Sequence, residues 1–328
     1  MRFLVAGLGS IGERHIRNLL RMGHEISGVD PARRARANIV RSFGIDVYGT
    51  LPEAMKKNYD GAFICTPTVT HVKTALAFAE KGIDLFIEKP LSNDLSGIDR
   101  LKAAVARHKL VTMVACNTRF FPSFIKAASI IENGKIGKVL SARAEAGFYL
   151  PYWRPGTDYR AAYSARKELG GGVILDIIHE IDFLCRLFGK VDRVFCYCGK
   201  VSGLDISTED LAEILLVFRK GTVAQVHLDY LQRTYRRHCK FIGDKGVVTW
   251  DYISQKVELF GVDARKSTVF EENINTEREQ MFIDQATHFI ECVKTRKKTV
   301  NDIGEAQGVL KVVMACHKSA SIGKTVKV

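Results

Sequence analysis

Residues 3–20 read FLVAGLGSIGERHIRNLL, an aliphatic run that breaks into glycines and resumes as a helix-spaced pattern. Gly7, Gly9 and Gly12 fall between the run and the helix. That spacing suits a strand, a tight turn and a helix whose N-terminus faces a pyrophosphate. Gly7 permits the turn, Gly9 lets backbone approach the phosphates, and Gly12 lets the helix lie close to the strand. Ser10 and Ile11, between the second and third glycines, complete the predicted phosphate-binding turn. The next strand ends in GVDPARRAR. Asp30 there can accept both hydroxyls of a ribose and repel a 2′-phosphate, which favours NAD over NADP, while Arg33 and Arg34 leave NADP open. Without a ligand, the same residues would be a glycine turn and a helix cap.

Working outward, short runs (RFLVA, HEISGV, GAFIC, IDLFI, LVTMVA) alternate with helical patterns as far as residue 120. Such alternation predicts an α/β domain with a doubly wound parallel sheet. After a helix at 122–133 the rhythm changes to strands: VLSARAEAGFYL, DRVFCYC, LAEILLVFR, GTVAQVHLDYL, KFIG, GVVTWDY and KVELFG, with turns at Lys220-Gly221 and Asp244-Lys245-Gly246. Helices are expected at 172–187, 277–297 and 303–321. The division is therefore 1–120 for a Rossmann domain and 121–328 for an α+β domain with a large, open, mostly antiparallel sheet. The last helix is expected to pack back on the first domain.

Composition narrows the class. The 328 residues are 46% hydrophobic and 26% charged, which excludes disordered, collagen-like and disulfide-stapled chains. Net charge is +13, but the basic residues are scattered, which argues against a nucleic-acid partner. The eight cysteines show no CxxC and no zinc spacing, so buried reduced thiols are expected and no metal. No signal peptide and no apolar stretch of membrane-spanning length is seen, so the chain reads as cytoplasmic.

Chemistry-bearing residues gather at the ends of predicted strands, where ligands bind in open α/β sheets. AFICTPTVTH places Thr66, Pro67 and His71 in one loop near the dinucleotide, with a helix-start role as the alternative for His71. LFIEKPLS puts Glu88 and Lys89 at the same edge, before a proline suited to a cis bond, and a partly desolvated lysine there can stabilise a developing alkoxide. In ELGGGVILDIIHEIDFLCRLFG, Asp176, His179 and Asp182 recur every third residue of one expected helix. An Asp–His pair suits acid–base work, and Gly170–Gly172 suggest close approach by another group. Between them lies FYLPYWRPGTDYRAAYSARKELGGG (148–172), where Trp153 can stack on a sugar or base and Arg154, Arg160 and Arg166 can bind an anionic group. Asn117, Arg119 and Tyr149 are further candidates for the pocket lining.

The glycine turn, TPxxxH, EKP, and GGGxxxD followed by HxxD together resemble the glucose–fructose oxidoreductase, inositol dehydrogenase and MocA-like (Gfo/Idh/MocA) family over nearly the whole chain. The 148–172 segment resembles a subgroup of surface-sugar and nucleotide-sugar pathways. The resemblance implies NAD(P)-linked oxidation of a sugar, polyol or nucleotide-sugar hydroxyl and self-association through the C-terminal sheet. It assigns Lys89 to the family's catalytic lysine, Asp176 to its aspartate and His179 to its base, although the family commonly spaces the last two by four residues. The substrate is then a small sugar-like molecule, with an anionic one admitted by the arginines, and the cofactor is NAD. Rival readings are a dinucleotide- and sugar-sensing regulator without turnover, and a reductase of a non-sugar substrate.

Overall fold

A computed structural model describes residues 1–261, 267–271 and 278–328; residue 277, the first of the helix expected at 277–297, lies outside them. The chain forms two compact units, Met1–Cys116 with Arg278–Gln307, and Asn117–Glu277 with Gly308–Val328. The single boundary expected near residue 120 thus misses the return of residues 278–307 to the first unit.

The first unit begins with β1 (Arg2–Ala6), α1 (Ser10–Arg21), β2 (Glu25–Val29), α2 (Arg33–Phe43), β3 (Asp46–Tyr48), α3 (Leu51–Ala54), β4 (Gly61–Ile64), α4 (His71–Ala79), β5 (Asp84–Glu88), α5 (Ile98–Arg107) and β6 (Thr112–Ala115). Its six strands run in the order β3-β2-β1-β4-β5-β6, all parallel, as the alternating pattern requires. The three-residue β3 carries too little apolar sequence to be foreseen. Glycines just past the ends of α1 and α4, Gly23 and Gly82, take φ of +77° and +75°, the left-handed values that stop a helix. Phe63 stacks on Phe86 with centroids 4.4 Å apart, and Phe289 packs edge-on against both. Residues 299–301 close the β6 edge: Thr299 donates to Thr112 O, and Asn301 donates its side chain to Val114 O and accepts Val114 N–H.

The second unit continues with α6 (Pro122–Glu132), β7 (Val139–Gly147), α7 (Val173–Asp176), α8 (His179–Phe188), β8 (Val191–Gly199), β9 (Leu211–Phe218), β10 (Val223–Asp229), β11 (Arg236–Gly243), β12 (Gly246–Asp251), β13 (Lys256–Gly261) and β14 (Thr268–Glu271). After α9 (Arg278–Thr295) and α10 (Ile303–Ile322), β15 (Val326–Lys327) closes the chain. Nine strands form one sheet in the order β14-β13-β12-β11-β7-β10-β9-β8-β15, antiparallel except for β7 with β10. One face buries Trp250 among Phe124 and Phe183, its indole N–H donating to Ser123 Oγ. All eight cysteines are free thiols, six of them buried. Among the described residues no helix is long and apolar enough to cross a membrane.

The other face of that sheet carries polar and apolar rows in register. Phe195 lies opposite Leu215, Val217 opposite Val223, and Tyr197, Glu213, His227, Glu145 and His238 align across five strands. His227 Nε2 lies 2.9 Å from Asp229 and Nδ1 2.6 Å from Glu213, and Asp229 foremost, then Glu213, raises its pKa to about 9. The raised value makes this contribution to stability full below pH 6.5, the unfolded value, and lost as pH rises through about 9. His227→Gln should flatten the fall in melting temperature across that window, measured by calorimetry from pH 6 to 10; an unchanged slope would remove His227 as its source.

Candidate functional site

In the first unit the buried strand β1 delivers the chain into Gly7 at φ +92°. A Cβ on Gly7 would lie 2.5 Å from Cys65 O, and one on Gly12 would fall deep inside the van der Waals shell of Gly7 O. A Cβ on Gly9 would meet nothing within 4 Å, so the turn opens outward there. Gly9 caps α1 without a side chain, leaving the first N–H groups of the helix, from Ser10 and Ile11 onward, with no side-chain acceptor from the cap.

Asp30 follows β2, and its carboxylate joins two backbone segments. Oδ2 accepts Leu8 N–H from the glycine turn at 2.8 Å, and Oδ1 accepts Ala32 N–H at 2.7 Å. Ala32, not Asp30, is the N-cap of α2. Arg36 donates to the carbonyls of Asp30 and Pro31, whereas Arg33 and Arg34 are exposed. This cradle suits a dinucleotide: open backbone donors for phosphate and a fixed carboxylate for ribose.

Two cofactor candidates have other partners. His71 is buried, with Nδ1 and Nε2 each 2.8 Å from a carbonyl, those of Pro90 and Thr66, and burial lowers its pKa. A neutral ring donates to one of these at a time, so His71 ties the Thr66-Pro67 loop to the segment after β5 and does not reach toward a ligand. Thr70 Oγ1 lies 2.7 Å from Pro67 O, to which it donates, and 2.9 Å from the Thr66 hydroxyl. Glu88 likewise turns inward, 2.7 Å from His15 Nε2 of α1, and after burial itself it raises the Cys65 thiol. His15, which the sequence reading passed over, thus links α1 to the residue before Lys89. Lys89 is half-buried, and the Lys89–Pro90 peptide is cis, as the sequence suggested.

In the second unit the glycines are crowded by the chain itself. A Cβ on Gly171 would overlap Tyr163 O, and one on Gly172 (φ +122°) the Glu209 carboxylate, whose pKa burial raises. The helix expected at 172–187 is broken: Asp176 ends α7, Ile177 turns at φ −101°, ψ 41°, and His179 begins α8. Asp176 therefore does not share a helical face with His179 and Asp182. Its carboxylate accepts instead from Tyr163 on Oδ1 and from Ser164 (2.5 Å) and Tyr230 (3.3 Å) on Oδ2. Burial, then Asp176, raises the Tyr230 phenol well above its ordinary value.

Helix α8 is fixed by two buried ion pairs. Arg119 Nε and Nη2 donate to Asp182 Oδ2 and Oδ1 at 2.8 and 2.7 Å, and Arg237 Nε lies 2.9 Å from Glu180. Arg119, expected to line the pocket, is thus a bidentate structural partner on its Nε edge. Asn117 is half-buried at the start of the same 3-10 turn. Among the loop residues, Arg160 is clamped by Asp158, and Arg166 by Glu168 and Arg160 O. Arg154 is exposed and lines a depression with Trp153, Thr157, Tyr159 and Ser164. Trp153 donates to Phe148 O and stands edge-on to Tyr230, and the Tyr149 ring lies 3.6 Å below Arg233.

Comparison with known proteins matches residues 1–116 to an oxidoreductase family with an NAD-binding Rossmann fold and residues 124–249 to the GFO/IDH/MocA C-terminal domain. The chain belongs to the Gfo/Idh/MocA family. Myo-inositol 2-dehydrogenase of Thermotoga maritima, a family relative, is 27% identical over 78% of this chain and 76% of its own. Levoglucosan dehydrogenase, solved with NADH and levoglucosan, superposes with a TM-score of 0.91 at 20% identity, over 100% of this chain and 99% of the other. The WlbA dehydrogenase of Bordetella pertussis, solved with NADH and UDP-GlcNAcA, gives 0.87 at 20%, over 100% and 97%. Family membership makes the chain an oxidoreductase whose first unit carries the NAD-binding Rossmann fold, in keeping with the cradle around Gly9 and Asp30.

Arg119→Ala leaves Asp182 charged and buried, so it should destabilise the protein by about 3–5 kcal/mol in denaturant unfolding. A loss of substrate affinity with unchanged stability would instead restore Arg119 to the pocket.

Proposed function

We propose that this protein is a cytoplasmic NAD-dependent dehydrogenase acting on a secondary hydroxyl of a sugar, polyol or nucleotide sugar. The observation that carries the reading is one chain holding the Gly9–Asp30 cradle, Lys89 at the end of β5, and Asp176 and His179 after the triple glycine. The first unit holds the dinucleotide through Gly7, Gly9, Ser10, Ile11, Gly12 and Asp30, with Thr66 and Pro67 bordering it. The bound nicotinamide supplies the hydride acceptor. Lys89 holds the substrate oxygen as its negative charge grows, which lowers the barrier because the ammonium is already in place. His179 takes the hydroxyl proton, and Asp176 offers a fixed acceptor to a neighbouring substrate hydroxyl.

Substrate class follows from the loop. Arg160 and Arg166 already face carboxylates, which leaves Arg154, beside Trp153, as the cation suited to a carboxylate or phosphate on the substrate. Trp153 and Tyr149 supply flat surface for a sugar or base, and Asn117 a polar contact. A relative solved with UDP-GlcNAcA supports an acidic nucleotide sugar as one form of that ligand. The uncovered sheet face, with Phe195, Tyr197 and Leu215 exposed, supports self-association of two copies.

The test follows nicotinamide absorbance with NAD and NADP over free sugars, inositols, uronic acids and nucleotide sugars. Wild type should turn over at least one hydroxyl substrate with NAD, and Lys89→Ala should lose about 100-fold or more in kcat while binding dinucleotide normally. Equal turnover in the variant would remove Lys89 from the mechanism. Silence across the panel with dinucleotide bound would favour the sensor reading. By sedimentation, Leu215→Asp should weaken any dimer; an unaltered one would place the interface elsewhere.

A further inference from the structure

We propose that Tyr163 is a positioning residue that sets the Asp176 carboxylate, an inference that rests on the catalytic-site reading of Asp176. A carboxylate offers about four lone-pair positions, and at least three hydroxyls of this chain occupy them here. Tyr163 takes Oδ1, while Ser164 and Tyr230 share Oδ2. Two of these donors come from consecutive residues of one turn, Tyr163–Ala165, and the third from the residue after β10.

The three hydroxyls differ in what surrounds them. Ser164 and Tyr230 are buried, Ser164 also lining the depression beside Arg154. Tyr163 is half-buried, and its ring lies 6.0 Å from the Arg154 guanidinium that borders the open depression. It is therefore the least buried member of the cage, and its ring stands near Arg154. The turn is itself fixed: Thr208 Oγ1 donates to Ser164 O at 3.0 Å, Ser207 N–H donates to Ala165 O at 2.9 Å, and Gly171 packs where no Cβ fits against Tyr163 O. The Tyr163 hydroxyl thus fixes the rotation of Asp176 and makes it answer to the arrangement of residues 148–169. This also gives a role to the break after α7: Asp176 is released from the helical repeat and takes its orientation from hydroxyls.

Two measurements test this. Crystal structures of Tyr163→Phe, and of Tyr163→Phe with Ser164→Ala, should show the carboxylate rotated or in more than one orientation. A carboxylate unmoved in Tyr163→Phe would overturn the proposal whether or not a substrate has been found. With a substrate from the panel, Tyr163→Phe should lose about 10–100-fold in kcat and change the pH profile of kcat, with unchanged dinucleotide affinity and melting temperature. Unchanged kcat and pH profile would also overturn it. If wild type turns over nothing while Asp176 moves in the variants, the dehydrogenase reading fails and the positioning role stands.

Discussion

In each unit the candidate residues depend on a glycine that lets two stretches of chain approach more closely than any side chain there would allow. Gly12 lies against the carbonyl of Gly7, which brings the start of α1 down onto the end of β1 and aims its N–H groups outward. In the second unit Gly171 and Gly172 lie against Tyr163 O and Glu209, which brings α7 next to the turn that carries Tyr163 and Ser164. Neither approach is attractive in itself. Each is an absence of repulsion that lets hydrogen bonds form at usable length, and substituting any of these glycines would push apart groups that have no other way to meet.

The charges of the second unit divide between two tasks. Asp182 and Glu180 are matched by Arg119 and Arg237, so α8 is tied to its surroundings by buried ion pairs that are rigid and demanding of geometry. Asp176 is held by at least three hydroxyls, which set the direction of its carboxylate.

The parallel sheet, the antiparallel sheet, the glycine turn and the cis Lys89–Pro90 bond could all be read along the chain, because each follows from residues within one turn or one period of each other. Most of the misreadings come from partners far along the chain. The apolar repeat from Ile174 to Leu187 is unbroken and predicts one helix, while the break after Asp176 answers to partners 12, 13 and 54 residues away. Arg119 and Glu88 looked available for ligands because their partners, Asp182 and His15, lie 63 and 73 residues distant. In the arginine-rich loop the neutralising acids were only two residues away, at Asp158 and Glu168, and there the signal lay in the sequence unread.

The first unit is not contiguous in the chain: Phe289 completes the Phe63–Phe86 cluster, and Thr299 and Asn301 seal the β6 edge. On the ribosome, residues 1–116 emerge long before those groups exist. At some 5–20 residues per second, the nascent unit must wait on the order of ten seconds or more with an open sheet edge and an unfilled aromatic pocket. The order of synthesis therefore makes residues 278–307 the late key to a sheet whose own strands left the ribosome first.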